Sequence, residues 1–598
     1  MKRTMFILSL SCLVVAAVTA QGILGRNPRP SKVAEIYNEG SVSRDGHFFS
    51  YWNWDDLDGN LFVRDLKTGK DTRLTDNARE PGSVGESSVI APDNKRVAYA
   101  WFTNDGATEL RTVGIDGSGT RSLYRVQDAR GMDTYDWSPD GVWILTALRR
   151  TDEAYEIVLI SSVDNWVRTL KVFKSRREAS EWKRWLNFSP DGRYIAYDFP
   201  PQEGSPNHDI FALALDGGPE VPLVEHPAND RLLGWAPDGR ILFASNRGGK
   251  WGAWAMPVAD GKSRGAPELV RADINPFQHG LGFTLDGSYY YGVSAWENDV
   301  YLATLDPTAE KISSPRKLVG HVGFGTSVEW SPDGQSLAYV SGAGWLYDPF
   351  VLGVLAIETG KKSGLQLSGI ERWGDQDFQP HWSPDGRFFL ASGDVLGLRG
   401  FYRIDARTGE VNPIVSDRLP RGAAWSPDGK TIFTRMMRET RSMVIATRDP
   451  TTGQEKELYR AALPVRLSNL AVSPDARRLA FVSSDEQGGT TIEVVPTSGS
   501  EAPREVIRLP ARANSAVALA WTPNSRDLIY ARGVRADGQK PSLSLWLIWA
   551  QRGEPRNLGS RIDGLPYGLS VHPDGQQIAF TAGTGRRVEV WLMKDLLR

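Results

Sequence analysis

Two short segments of the chain combine tryptophan with charged side chains, a combination that can bind ligands. They span residues 175–185 and 370–381. An aromatic ring beside charges of both signs can bind a sugar, a peptide or a loop of a protein partner. The alternative is that these tryptophans fill gaps in a packed core and that the charges are solvated. The candidate binding residues are Trp182, Arg184, Trp185, Arg372, Trp373, Asp377 and His381.

The sequence contains one formal match to a catalytic pattern, Gly-x-Ser-x-Gly at 261–265, and it is predicted to be a polar turn between two strands. The seven histidines are dispersed along the chain, without a His-Glu-x-x-His motif or a paired spacing. We also find no phosphate-binding loop and no dinucleotide-binding fingerprint. A site assembled from distant segments would leave no such pattern. We therefore expect no catalytic residue, no metal and no cofactor.

The elements that would position the candidate residues come from a repeat. The sequence Trp-Ser-Pro-Asp-Gly at 137–141 recurs at 330–334, 382–386 and 425–429, and looser copies fill the intervals. The gaps between the acidic positions run from 43 to 52 residues and average about 48, close to the length of a four-stranded propeller blade. The twelve positions are Asp45, Asp93, Asp140, Asp191, Asp238, Asp286, Asp333, Asp385, Asp428, Asp475, Asn524 and Asp574.

Each part of the motif has a physical role. Proline presets φ at the first central position of a type I turn, aspartate suits the second, and glycine tolerates the positive φ that often follows. The aromatic residue before the turn ends one strand and can wedge between neighbouring repeats. Further strands follow in each repeat, as at residues 194–197, 209–214 and 72–75. Four short antiparallel strands per repeat make one blade.

The twelve repeats predict an all-β fold of tandem β-propellers with twelve four-stranded blades. A single ring of twelve would leave a wide unfilled centre, since propellers usually contain four to eight blades. We expect six plus six blades, with residues 21–320 in the first propeller and residues 321–598 in the second; seven plus five is the alternative. The strand-like residues 32–37 are expected to complete the last blade, whose third strand is predicted at 588–593, and so to close an open edge.

The repeat resembles the WD-type propeller repeat of the TolB-like family. The resemblance is carried by Trp-Ser-Pro-Asp-Gly, by the Ile-Ala-Tyr or Ile-Ala-Phe strand after it, and by the Asp-Gly-Gly or Thr-Gly turn between the outer strands. It covers essentially the whole chain after the N-terminal segment, and it implies a propeller fold and protein contacts in the cell envelope. It implies no particular chemistry, because this repeat serves scaffolds, binding proteins and enzyme-associated domains alike.

The first twenty residues have the layout of a secretory signal peptide. Lys2 and Arg3 precede an apolar run at 5–18, and small residues precede a cleavage site after Ala20. The run is too short to span a membrane, and no later segment approaches the length of a transmembrane helix. We therefore expect a periplasmic or secreted protein with no transmembrane segment after cleavage. The single cysteine, Cys12, lies in this segment, so no disulfide is expected.

The charge and the repeat together favour a binding function. A net charge of −2 gives no reason to expect a nucleic-acid partner. The sequence predicts a non-enzymatic scaffold of the cell envelope that binds a protein or peptide, or another ligand, on a loop-rich propeller face. We expect that face opposite the Ser-Pro-Asp-Gly turns. The alternative is a propeller enzyme of the polysaccharide lyase or hydrolase type, with three or more His, Asp or Glu side chains converging at an axial site.

Overall fold

A computed structural model of the chain describes residues 30–597 with interruptions. The segments within this span that are left out are 37–39, 54–58, 81–82, 152–153, 174–185, 203–204, 206, 273, 275–278, 307–310, 323–326, 342–350, 368–369, 374–379, 396–397, 417–419, 438–441, 462–464, 486–488, 510–516, 535–540, 552 and 560. The predicted signal peptide, residues 1–20, lies outside the described residues.

The described residues form an all-β structure in which the one helical element is the 3₁₀ turn Asn77–Arg79. Antiparallel strands build twelve blades, six in each of two compact units. The first unit comprises Met1–Val293 and Val588–Arg598, and the second comprises Ser294–Arg587. The predicted fold class of tandem β-propellers with six plus six blades is therefore confirmed.

The first unit contains blades 1–6, each written from its innermost strand outwards. Blade 1 begins with the isolated bridge between Val42 and Phe49 instead of a full inner strand. The strands of the first unit, with a semicolon between one blade and the next, are Phe48–Asn53, Asn60–Asp65 and Asp71–Arg73; Val84–Ile90, Arg96–Phe102, Thr108–Gly114 and Arg121–Val126; Ala129–Trp137, Trp143–Arg150, Tyr155–Ser161 and Val167–Phe173; Leu186–Phe188, Tyr194–Phe199, Asp209–Ala214 and Val221–Val224; Asp230–Trp235, Arg240–Ser245, Gly252–Ala259, Lys262–Ser263 and Glu268–Ala272; and, in blade 6, His279–Phe283, part of Tyr289–Thr304, part of Gln577–Met593, and Ser31–Ile36.

The second unit contains blades 7–12 in the same arrangement. Its strands are Val328–Trp330, Ser336–Ser341, Val351–Ala356 and Lys362–Gln366; Ile370–Trp373, His381–Trp382, Phe388–Val395, Leu398–Asp405 and Val411–Ser416; Pro420–Trp425, Ile432–Met437, Met443–Arg448 and Glu455–Ala461; Arg466–Val472, Arg478–Ser484, Thr490–Pro496 and Arg504–Leu509; Val517–Trp521, Asp527–Val534, Ser542–Trp549, Arg556–Asn557 and Ile562–Asp563; and, in blade 12, Leu565–Val571, part of Gln577–Met593, part of Tyr289–Thr304, and Arg316–Val322.

Two long strands, Tyr289–Thr304 and Gln577–Met593, each contribute to both units. A strand that stayed in one blade would have to fold back as a hairpin, but each of these is assigned as one continuous strand, of 16 and 17 residues. Repeats 6 and 12 consequently exchange their outer halves. The compact units therefore differ from the predicted division into residues 21–320 and 321–598, because residues 294–320 belong to the second unit and residues 588–598 return to the first.

The predicted closing strand is present over Ser31–Ile36, but it completes blade 6 instead of the last blade. Ser31–Ile36 pairs antiparallel with the end of the second long strand, with Ile36 opposite Val588 and Ser31 opposite Leu592. Ile36 is buried among Val588, Val590 and the aromatic residues of blade 1. The blade that this strand completes belongs to the first unit.

The motif turns have the backbone geometry that the sequence predicts. In blade 3 the amide of Gly141 donates to the carbonyl of Ser138 at 2.9 Å, which closes the β-turn. The Ser138 hydroxyl then donates to Asp140 and accepts the amide hydrogen of Trp143 at 2.8 Å. The residue at the glycine position has a positive φ in all twelve repeats, and in three repeats it is not glycine. Those three residues are Asn94, Ala476 and Ser525, with φ of 57°, 58° and 58°.

Candidate functional site

The structure describes only part of the predicted binding site. Four of the candidates lie outside the described residues: Trp182, Arg184, Trp185 and Asp377. Arg372 and Trp373 are described only through the backbone of the strand Ile370–Trp373. His381 is the candidate whose side chain the structure places. A binding role for the other six residues stays a prediction.

His381 lines a cavity of about 260 Å³ on the axis of the second unit. The innermost strands of all six blades contribute to its wall, which also includes Pro427 and Pro474 of two motif turns. The cavity therefore extends to the Ser-Pro-Asp-Gly face. The sequence instead predicts a ligand at the opposite face, where much of the loop structure lies outside the described residues.

A carboxylate–imidazole pair supplies the formal charge of this cavity. Nδ1 of His381 lies 3.2 Å from Oε1 of Glu329, and Oε2 of Glu329 accepts the backbone N–H of Trp382 at 2.7 Å. The Glu329 and His381 side chains are 27% and 20% exposed, so both are accessible from the cavity. Because a carboxylate oxygen can only accept, Nδ1 of His381 carries the proton in this contact.

The position of Glu329 follows from the repeat. It is the residue immediately before the motif tryptophan Trp330, at the end of the innermost strand of blade 7. From there its side chain reaches the next blade and joins blade 7 to blade 8 through His381 and Trp382. The sequence analysis missed Glu329. A signal was available, since only two of the twelve repeats have an acidic residue at this position, Asp136 and Glu329.

Asp136 has an equivalent role in the first unit. Its Oδ2 accepts the backbone N–H of Phe188 in the next blade at 2.9 Å, and its carboxylate also interacts with the side chain of Asn187. Arg44 of blade 1 lies close enough to act on this carboxylate electrostatically, and its Nη2 donates to the carbonyl of Trp137 at 2.9 Å. Burial raises the pKa of Asp136, and the positive charge of Arg44 offsets part of that increase.

The motif tryptophans belong to the packing between blades. In the first unit Trp137 and Trp235 donate their indole N–H to the carbonyl of the motif glycine, at 2.9 and 3.3 Å. In the second unit the indole nitrogens of Trp330, Trp382 and Trp425 are buried without a hydrogen-bond partner in the described part of the chain. Leaving such a donor unpaired costs about 1–3 kcal/mol. Burial of the ring compensates for that cost.

Another concentration of charge, in blades 4 and 5, consists of ion pairs within the first unit. Nδ1 of His208 lies 2.7 Å from Oδ2 of Asp198, and Nη1 of Arg231 lies 3.3 Å from the same oxygen. Beside this group, Nη2 of Arg247 lies 2.8 Å from Oδ2 of Asp230. Both aspartates have fully buried side chains. Each carboxylate is thus paired with a cation inside the first unit, as buried charges usually are.

Among the side chains that the structure describes, no group of three or more His, Cys, Asp or Glu residues is arranged to hold a metal ion. Within the described segments, no helix has the length and hydrophobicity required to cross a membrane.

Comparisons with known proteins give distant relatives. No protein-family model matches the chain. The uncharacterized protein Atu1656 of Agrobacterium fabrum is 26% identical over 163 residues, which are 26% of this chain and 54% of that protein. The human echinoderm microtubule-associated protein-like 2 is 28% identical over 120 residues, which are 20% of this chain and 17% of that protein. The chain thus spans about half or less of the length of these relatives.

Solved propeller structures are also similar to this chain. The crystal structure of TolB from Acinetobacter baumannii aligns with a TM-score of 0.32 and 16% identity, over 61% of this chain and 82% of that one. The blades and the repeat define the present chain as a β-propeller protein. It resembles TolB.

Proposed function

We propose that the protein is an exported, non-enzymatic scaffold of the cell envelope that holds a protein or peptide, or another ligand, on a propeller face. The observation that carries this proposal is the axial cavity of the second unit, with Glu329 and His381 in its wall. Concave sites with a few polar groups on a rigid framework are the usual form of a binding site. The signal peptide predicted at residues 1–20 supports export.

An affinity capture from the envelope fraction of the native organism tests the proposal. The immobilised bait is the mature chain, in the natural form and as the variants Glu329→Gln and His381→Ala. We expect a partner that is retained by the natural chain and released at least about fivefold more readily by either variant, since each removes a polar group of the cavity wall. The control is Trp166→Ala, which alters an exposed side chain of the first unit. Equal retention by all four baits would refute the assignment of the site.

The predicted residues whose side chains the structure does not describe need their own variants. Trp182→Ala/Trp185→Ala and Arg372→Ala/Trp373→Ala change the two segments that the sequence singled out. Loss of capture by one of these double variants would place that segment at the binding surface. Unchanged capture by both would limit the binding surface to the cavity around His381.

A propeller enzyme with an axial site is the second candidate. The Glu329–His381 pair favours it, because a carboxylate that orients an imidazole is also a common arrangement for a general base. The test is turnover of polysaccharide and peptide panels by the natural chain and by His381→Ala. Turnover that disappears in the variant would replace the scaffold proposal, whereas absence of turnover together with cavity-dependent capture supports it.

A further inference from the structure

The two propellers carry the same axial arrangement with one difference. In the first unit Asp136 bonds the amide of Phe188 and interacts with Asn187. In the second unit Glu329 bonds the amide of Trp382 and pairs with His381, and these two residues occupy the positions of Phe188 and Asn187 in their repeat. Asp136 and Glu329 are therefore equivalent residues, and each makes the same hydrogen bond to the blade that follows it.

The two units differ in the cation that accompanies the carboxylate. In the first unit the proline position of the blade 1 motif is Arg44, whose guanidinium reaches blade 3, bonds the Trp137 carbonyl and acts on Asp136. In the second unit the described part of the chain gives Glu329 one ion-pair partner, His381, and no lysine or arginine. All six motifs of that unit have proline at this position: Pro332, Pro384, Pro427, Pro474, Pro523 and Pro573. Proline has no side chain that could reach across the axis.

The cavity wall beside Glu329 presents hydrogen-bond acceptors. The Glu329 side chain is 27% exposed, so its carboxylate is an accessible acceptor in the cavity wall. Asn469, also in the wall, uses its Nδ2 to bond the carbonyl of Val517 at 2.7 Å, and its Oδ1 accepts no hydrogen bond in the described part of the chain. The volume of about 260 Å³ is sufficient for one small cationic group with its stem.

We propose that the axial cavity of the second unit binds a guanidinium or ammonium group, which takes the place that Arg44 has in the first unit. This inference rests on the proposed function, since it names the chemistry of the ligand at the same site. The group can belong to an arginine or lysine side chain of a protein partner or to a free small amine. A guanidinium fits best, because it is planar and can donate to several acceptors at once.

The test compares charged and neutral forms of one ligand by isothermal titration calorimetry at low salt. The probes are N-acetyl-Gly-Arg-Gly-amide, its citrulline analogue, the lysine analogue and ethylguanidinium chloride. We expect the arginine peptide to bind about tenfold or more tightly than the neutral citrulline peptide, and added salt to weaken it. Equal affinities for the arginine and citrulline peptides would overturn the inference. If the arginine peptide binds much more tightly than ethylguanidinium, the natural ligand is a side chain of a protein partner. If the two affinities are similar, the natural ligand is a free small amine.

Two variants assign the binding to this cavity. Glu329→Gln keeps the size of the side chain and should weaken the arginine peptide about tenfold, whereas Asp136→Asn in the first unit should leave its affinity unchanged. The six blades of each unit form a ring, so blade 11, which contains Pro523, lies two positions before blade 7, which contains Glu329. Arg44 in blade 1 likewise lies two positions before Asp136 in blade 3. Pro523→Arg should therefore fill the cavity from within and compete with the peptide. Unchanged affinity in both Glu329→Gln and Pro523→Arg would overturn the assignment.

The outcomes for the two proposals are separable. If no cationic probe binds but capture of an envelope partner is lost in Glu329→Gln, the inference fails and the scaffold function stands. If neither probe binding nor capture depends on Glu329, both fail. Circular dichroism and thermal unfolding of each variant confirm that the fold is retained.

Discussion

The contact between Arg44 and the Asp136 region gives a stability prediction that can be worked from the structure. Arg44→Ala removes a charged donor from the carbonyl of Trp137, a bond of 2.9 Å. A hydrogen bond to a charged group contributes about 1.5–3 kcal/mol. The substitution also removes the positive charge that lowers the pKa of Asp136. We expect the free energy of unfolding of the first unit to fall by about 2–4 kcal/mol at pH 7.

The pH dependence of this loss follows from the sign of the pKa shift. Burial places the pKa of Asp136 in the folded state above its unfolded value. The folded state then binds the proton more tightly, so stability is lost as the pH rises through the folded pKa. Arg44 limits that loss by stabilising the carboxylate. Arg44→Ala should therefore cost more above the folded-state pKa of Asp136 than below it, where only the bond to Trp137 is missing.

Hydrogen exchange of first-unit peptides across a urea series measures the change. The double variant Arg44→Ala/Asp136→Asn completes a double-mutant cycle, in which we expect a coupling of about 1–2 kcal/mol. Arg193→Ala is the matched control, because Arg193 forms an ion pair that is largely exposed and should cost little. A fall of less than about 0.5 kcal/mol in the free energy of unfolding of Arg44→Ala would refute the reasoning. So would a fall that is equally large when Arg44→Ala is introduced into the natural chain and into Asp136→Asn.

Three further predictions concern the repeat and the closure of the ring. Ala476→Gly should raise the free energy of unfolding by about 1 kcal/mol, because alanine at φ of 58° is strained, and Gly386→Ala at φ of 69° should lower it by a similar amount in calorimetry. Ile36→Ala should destabilise the first unit by about 2–4 kcal/mol and speed its proteolysis, since Ile36 is 2% exposed; unchanged proteolysis would contradict closure by this strand. Trp137→Phe removes a paired indole N–H and should cost about 1 kcal/mol more in urea unfolding than Trp425→Phe, whose N–H is unpaired; equal costs would contradict the assignment of partners.

The blades could be predicted from the sequence because each repeat has its own turn chemistry. Serine, aspartate and a residue with positive φ act within five positions, so the local sequence is sufficient to specify the turn. The closing strand at residues 32–37 was predictable for a related reason. Its alternation matched the strand that the last repeat lacked.

The path of the chain between the units was not predictable from the same signals. The hydrophobic pattern predicts strand residues in the first half and in the second half of Tyr289–Thr304. Two strands joined by a hairpin turn and one continuous strand fit this pattern equally well. The pairing partner decides between them, and for this strand it lies near residues 577–593.

The candidate site was predictable only in part. His381 attracted attention because it lies near tryptophan and charged residues in the sequence. Glu329 lies 52 positions earlier and meets His381 only because the blades form a ring. The significance of either residue depends on what the equivalent positions of other repeats contain. That comparison needs the structure, in which Arg44 is seen to act on Asp136 and nothing equivalent acts on Glu329 in the described residues.

The exchange of long strands has a consequence for the order of assembly. All residues of the second unit, Ser294–Arg587, are contiguous, whereas the first unit needs Val588–Arg598 to supply the third strand of blade 6. During synthesis or translocation the second unit can be complete while the first is still an unfinished ring with bare strand edges. The later unit should therefore fold first. A nascent chain halted at residue 587 should already resist protease across residues 294–587 and remain sensitive before residue 294.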